Sequence, residues 1–182
     1  MDPNELAAEG KLPLCEAVLK GRTKMVKALM DGGARIDTRC CFSNWCDEAQ
    51  EANPPYLPVH VATVENHHDV LRQLLGEYGA DVNAETVSGA TPLTLACTSA
   101  GHADTLRILL DAGADMGVTV PGFGCTPLHL ASMGGHTRHA AILLERGAAP
   151  NAVSKGVRFP GEGWTPAMFA AESGVFLSLI HI

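Results

Sequence analysis

Aromatic residues are scarce, 5% of a chain that is 46% hydrophobic. Ala, Gly and Leu carry the apolar content instead, which suits closely packed helices better than a β-sandwich. Positive charge is also short: 13 Lys+Arg stand against 20 Asp+Glu, a net charge of −7. Bulk nucleic-acid binding is therefore not the default. No run of about 18 apolar residues occurs, so no membrane insertion is expected. The opening MDPNELAAEGK has no basic n-region and no apolar h-region, so it does not read as a signal peptide. Without one, the six cysteines read as reduced thiols of a cytoplasmic protein rather than bridges, with the nucleus left open as a compartment. The HExxH, P-loop, GxSxG, kinase His-Arg-Asp and CxxC patterns are all missing. Gly122-Phe123-Gly124 has the start of a dinucleotide fingerprint, but no strand precedes it and no third glycine follows. No enzyme, no cofactor and no small-molecule ligand is expected.

What is present is self-similarity. TPLTLACTSAGHADTLRILLDAGAD (91–115) aligns with TPLHLASMGGHTRHAAILLERGAA (126–149) and with LPVHVATVENHHDVLRQLLGEYGAD (57–81). A more diverged copy is LPLCEAVLKGRTKMVKALMDGGAR (12–35), and a fifth begins at WTPAMFAAESG (164–174). The repeat prolines Pro13, Pro58, Pro92, Pro127 and Pro166 are 45, 34, 35 and 39 residues apart. Each copy has its own start and stop signals. Thr91 and Thr126 are N-cap hydroxyls followed by Pro at the first helical position. A short helix follows, broken near Gly135; a second carries Ala140, Leu143 and Leu144 at helical spacing. Gly147 then ends it as a C-cap. Ala62, Ala96 and Ala131 let neighbouring helices approach closely. One such pair cannot bury its apolar face alone, so stability requires stacked copies.

These motifs, GATPLTLA, CTPLHLA and LLDAGAD, resemble ankyrin repeats, whose period is about 33 residues. The resemblance runs from Leu12 to Gly174. It implies an all-α ankyrin-repeat solenoid: helix–turn–helix repeats with β-hairpin fingers, four full repeats plus a truncated fifth. The repeats fall near 12–37, 57–83, 91–117, 126–151 and 164–174, with a long finger insertion at 38–56. Residues 1–11 read as an N-terminal cap segment, with Asp2, Pro3 and Glu5 as a capping box. Residues 175–182 read as a truncated or artefactual tail, because LSLIHI resembles a translated cloning adapter. The resemblance also implies a concave face that binds another protein, with no catalysis. The competing reading is the regulatory ankyrin arm of a larger protein whose C-terminal part is missing: a ubiquitin-ligase adaptor, a kinase or a channel.

Length beyond the period collects mainly in the fingers, at 38–55, 118–124 and 153–163. Insertions of this kind gather on one edge of a repeat array, often the binding edge. That edge carries Phe42, Trp45, Tyr56, Phe123, Phe159 and Trp164, six of the nine aromatics. With Arg39 and Arg158 as charged companions, they are the candidate partner-binding residues. The alternative is that each loop tucks its aromatic beneath itself.

The remaining chemistry-bearing residues have blander places. The resemblance implies that His60 and His129 hydrogen-bond backbone between repeats. It puts His67, His102 and His136 at the inter-helix turn, while His68 and His139 face solvent or pack. Cys125 and His129 pair a thiol with a base only superficially. The basic residues Lys20, Arg22, Lys24 and Lys27 read as the solvated face of an end repeat, or as a contact for an acidic partner. Cys40, Cys41 and Cys46 are a weak zinc alternative, short of a fourth ligand unless the fold supplies Cys15 or His60.

Overall fold

A computed structural model describes residue 4 and residues 12–40, 56–156 and 163–173. It contains nine α-helices among the described residues, and they come in pairs. The pairs are α1 (Pro13–Leu19) with α2 (Thr23–Asp31) and α3 (Pro58–Val64) with α4 (His68–Gly76). Next come α5 (Pro92–Cys97) with α6 (Ala103–Asp111), and α7 (Pro127–Met133) with α8 (Thr137–Glu145). The fifth copy contributes α9 (Pro166–Glu172). The class is all-α and repetitive. Two compact units are present, Met1–Ser88 and Gly89–Ile182.

The first helix of each pair starts where the sequence places its stop-and-start chemistry. Proline sits at the first turn of α1, α3, α5, α7 and α9, each after an extended N-cap residue. At α5 the Thr91 hydroxyl accepts from the Thr94 N–H at 3.4 Å, and the Thr91 N–H donates to Thr94 Oγ1 at 2.9 Å. This is a reciprocal capping box, and it satisfies two donors the helix start leaves open. At the far end of α8, Gly147 takes φ +91, a conformation that side chains with a Cβ rarely adopt.

In the unit Met1–Ser88, α1 packs on α2 and on α3, α3 on α4, and α2 on α4. Its core is Leu14, Val18, Val26, Val59, Ala62, Val70, Leu71 and Leu74, all buried. Asn4 docks beside this unit: its side chain donates to the Gly33 carbonyl and accepts from the Arg35 N–H. In the unit Gly89–Ile182, α5 packs on α6 and α7, α6 on α8, and α7 on α8 and α9. Leu93, Ala96, Leu106, Leu109, Ala131, Ala140 and Leu143 are completely or almost completely buried there. Ala at positions 62, 96 and 131 is what permits such close approach between first helices. Ion pairs cross neighbouring second helices on the outer surface: Lys27–Glu77, Arg138–Asp104 and Arg146–Asp111. All are solvent-exposed, so each contributes little.

Cysteine pairing departs from the expectation of six free thiols. Cys15 and Cys40 form a disulfide, their Cα atoms 5.4 Å apart across 25 residues of sequence. The 45-residue first interval obscures this proximity, because the chain returns to α1 at Cys40, within the first residues of the extension. Cys97 and Cys125 are free and buried.

Candidate functional site

Three fingers are closed at their roots by backbone hydrogen bonds rather than by a long ladder. Cys40 and Tyr56 form an antiparallel bridge, with the Cys40 N–H donating to the Tyr56 carbonyl at 2.6 Å. Val120 and Cys125 form another, around the turn that holds Phe123. At the fourth finger Ser154 N–H donates to the Trp164 carbonyl and Gly163 N–H to the Ser154 carbonyl, both at 2.9 Å. The Trp164 N–H adds a bond to Ser154 Oγ at 3.2 Å.

Buried imidazoles tie the roots to the helices. His60 Nδ1 accepts from the Leu57 N–H at 3.0 Å, which leaves Nε2 to carry the proton and donate to the Ala84 carbonyl at 2.9 Å. His129 repeats the arrangement: Nδ1 accepts from the Thr126 N–H, and Nε2 donates to the Trp164 carbonyl at 3.0 Å. The neutral tautomer fits both acceptor and donor; the imidazolium fits only the donor. Burial pushes His60 down to about 4, against the opposing pull of the Ala84 carbonyl. Burial lowers His129 in the same way. His67 Nε2 meets the Leu19 carbonyl at 3.0 Å, joining the turn of one repeat to the preceding first helix. These histidines are structural links, as the resemblance implied. His139 is a packing residue, 1% exposed, with Nε2 unpartnered among the described residues.

The candidate partner-binding residues fall in three groups. Tyr56 is half-buried at the root of the first finger, edge-on to His60 at 6.3 Å. Trp164 is half-buried at the fourth root and edge-on to the buried Phe169 at 5.3 Å. Phe123 is half-buried in its turn, and Arg39 is exposed beside Cys40. Phe42, Trp45, Arg158 and Phe159 lie outside the described residues, as do Cys41 and Cys46. Cys40 is bonded to Cys15 and so is not a thiolate ligand for zinc. Among the described residues no group of three or more His, Cys, Asp or Glu side chains could hold a metal ion. Burial raises the thiol pKa of both Cys97 and Cys125, so neither is an activated nucleophile.

Two residues that sequence reasoning missed stand out on the fingers. Val87 is 60% exposed and Val153 46%. In register they are not equivalent: Asn83-Ala84 matches Asn151-Ala152, which puts Val153 at the place of Glu85 and Val87 at that of Lys155. No repeat signal therefore pointed to them. In the second unit an open groove of about 690 Å³ runs beside Val153, between the turns at Asp115–Gly117 and Gly147–Ala149. Its neighbouring loops are held very close. A Cβ on Gly156 would lie 2.1 Å from the Phe123 carbonyl, so only glycine fits.

A profile described as ankyrin repeats (3 copies) matches residues 39–120 and 112–180. The chain belongs to the ankyrin-repeat family. Its relatives are longer proteins of several kinds. It is 31% identical over 144 residues to the human transient receptor potential cation channel subfamily A member 1, covering 79% of this chain and 12% of the channel. It is 30% identical over 118 residues to the tyrosine-protein kinase HTK16 of Hydra vulgaris, covering 64% of this chain and 15% of the kinase. It is 32% identical over 127 residues to human ankyrin repeat and SOCS box protein 16, covering 70% of this chain and 25% of that protein. This ankyrin chain thus spans a quarter or less of the length of each of these three. No helix among the described residues is long and apolar enough to cross a membrane.

Proposed function

We propose that this ankyrin chain is a non-catalytic module that binds another protein through its fingers and first-helix side chains. The observation that carries the reading is the division of labour among side chains. His60, His129, Ser154 and the backbone of Trp164 are engaged in holding the finger roots. The apolar Val87 and Val153 are left facing solvent on two of the fingers. Half-buried aromatics beside exposed aliphatics are what a partner's apolar side chains pack against. Phe42, Trp45, Arg158 and Phe159 belong to the same proposal through their places in the finger insertions. The test compares proteins captured by the wild-type chain with those captured by a Val87→Asp plus Val153→Asp variant whose circular dichroism is unchanged. Loss of the same proteins from the variant is the expected result. Full retention by the folded variant refutes the finger reading.

A second reading is favoured by the relatives: the repeats are the regulatory arm of a larger protein. A channel, a kinase and a SOCS-box protein each carry this similarity over a quarter or less of their length. The two readings are compatible, since a regulatory arm acts by binding. Transcript sequence reading on past residue 182 decides it. A stop directly after a capping repeat would refute the arm.

A further inference from the structure

One position in each repeat decides how the following finger is tied down. It is the fourth residue of the motif that opens the first helix. In LPVH it is His60, whose Nε2 donates to Ala84, 24 residues on. In TPLH it is His129, which reaches the Trp164 carbonyl. In TPLT it is Thr94, whose hydroxyl stays within its own cap, donating to the Thr91 carbonyl at 2.8 Å. In LPLC it is Cys15, whose sulfur is bonded to Cys40 and lies 3.9 Å from the Arg39 carbonyl, again 24 residues on.

We propose that the Cys15–Cys40 bond is a redox latch: a reducible covalent form of the link that imidazole makes in two other repeats. The inference is independent of the protein-binding reading. Three observations carry it. The bond acts at the root itself, because Cys40 also donates its N–H to the Tyr56 carbonyl there. Carbonyl acceptors stand beside both sulfurs: that of Arg39 is 3.9 Å from the Cys15 sulfur and that of Thr38 3.7 Å from the Cys40 sulfur. A separated thiol is a weak donor with such an acceptor nearby, so reduction exchanges a covalent tie for weak ones. Finally, α1 also packs on α2 and α3 through apolar side chains. Leu14, Val18 and Val26 are buried there, in contacts that do not run through the sulfurs.

The chemistry needs a dithiol reductant. Its first thiolate attacks one sulfur of the bond, forming a mixed disulfide and expelling the other cysteine as a thiolate, which takes up a proton. Its second thiolate then closes the reductant's own disulfide and releases the remaining cysteine. Two electrons pass from the dithiol to the protein. Cys15 and Cys40 are only 8% and 2% exposed, so the exchange is slow compared with that at a surface bridge.

The test uses the full chain, oxidised with glutathione disulfide or reduced with dithiothreitol. Peptide mapping by mass establishes the Cys15–Cys40 bond, and amide hydrogen exchange is followed in both states. Reduction is expected to speed exchange at 38–40 and 56–57 by about tenfold or more, while interior amides of α1–α4 change less than about twofold. Reoxidation should restore the slow rates. A Cys15→Ala variant should show the fast root in either buffer; should it fail to fold, the reduced wild type decides alone. Acceleration throughout α1–α4 would make the bond a structural staple and overturn the latch. So would unchanged exchange at the root, absence of the bond in the oxidised chain, or a redox response that persists in folded Cys15→Ala.

Discussion

Lowering the pH should loosen this protein through His60, in a window fixed by burial. His60 is fully buried, its Nδ1 accepts an N–H and its Nε2 donates to the Ala84 carbonyl. A second proton has no acceptor to meet, and charge there is desolvated. The folded-state value is about 4, against 6.5 for the ordinary imidazole. Well above 6.5 neither state binds the proton, and the full contribution to stability is present. Between 6.5 and about 4 the unfolded chain takes up a proton that the fold refuses. Stability therefore falls as pH falls, by about 1.4 kcal/mol per pH unit for this one group, and the loss levels off below about 4. The total is on the order of 3 kcal/mol. That is a large part of the 5–15 kcal/mol typical of a domain. The assay is urea unfolding followed by far-ultraviolet circular dichroism from about pH 7.5 to about pH 4.5, for wild type and for His60→Gln. Glutamine can accept and donate at the same site and does not titrate. The variant should lose stability less steeply with falling pH, by nearly one proton's worth. Amide exchange of α3 and α4 gives the same comparison locally. Parallel pH curves for the two proteins would refute the argument.

Other perturbations have equally definite outcomes. His139 is buried with Nε2 unpartnered among the described residues, at the place that Val70 and Thr105 hold in other repeats. Burial lowers its pKa to about 4, with His136, His102 and Arg138 adding repulsion. His139→Leu should raise the urea midpoint at neutral pH, by about 1 kcal/mol or more, and flatten the acid limb further. Gly156→Ala puts a Cβ 2.1 Å from the Phe123 carbonyl; thermal unfolding should show a loss of about 1–3 kcal/mol. Replacing both Cys15 and Cys40 by alanine releases a loop of 25 residues. On the latch reading the finger root of the folded chain takes up most of that freedom, so the urea midpoint under oxidising conditions should fall by far less than the roughly 3.5 kcal/mol that loop-closure entropy sets for a structural staple at 25 °C. Arg146→Ala removes an exposed ion pair to Asp111 and should change stability by less than about 1 kcal/mol.

The helical frame was legible because several local signals agree at each repeat. Thr91 caps, Pro92 follows at the first turn, Ala96 permits close packing and Gly147 turns the chain at positive φ. Each rests on short-range chemistry that a sequence displays directly. The finger roots were less legible, because they depend on where the chain returns. Tyr56 and Trp164 read as edge aromatics, yet their backbones close the roots with Cys40 and Ser154. Those bonds draw both rings to half-buried positions, Tyr56 against His60 and Trp164 against Phe169. Val87 and Val153 escaped notice because a single valine in a finger carries no periodicity.

Cys15 shows what register adds to composition. Seen only as one of the chain's six cysteines, it read as a free thiol. Seen as the residue that replaces His60 and His129 in its own repeat, it stands where a link to the next finger is made. A thiol cannot do there what an imidazole does. It is too short to accept an N–H at the cap and reach a carbonyl at once, and its S–H is a weak donor. The repeat that carries it therefore either leaves its finger loosely held, as Thr94 leaves the next connection to other contacts, or finds a second sulfur. Cys40 supplies that sulfur at the root of the longest finger insertion, where entropy most favours a tie. The same substitution that weakens the hydrogen-bonded link thus makes the covalent one available, and makes its strength depend on the reductant around it.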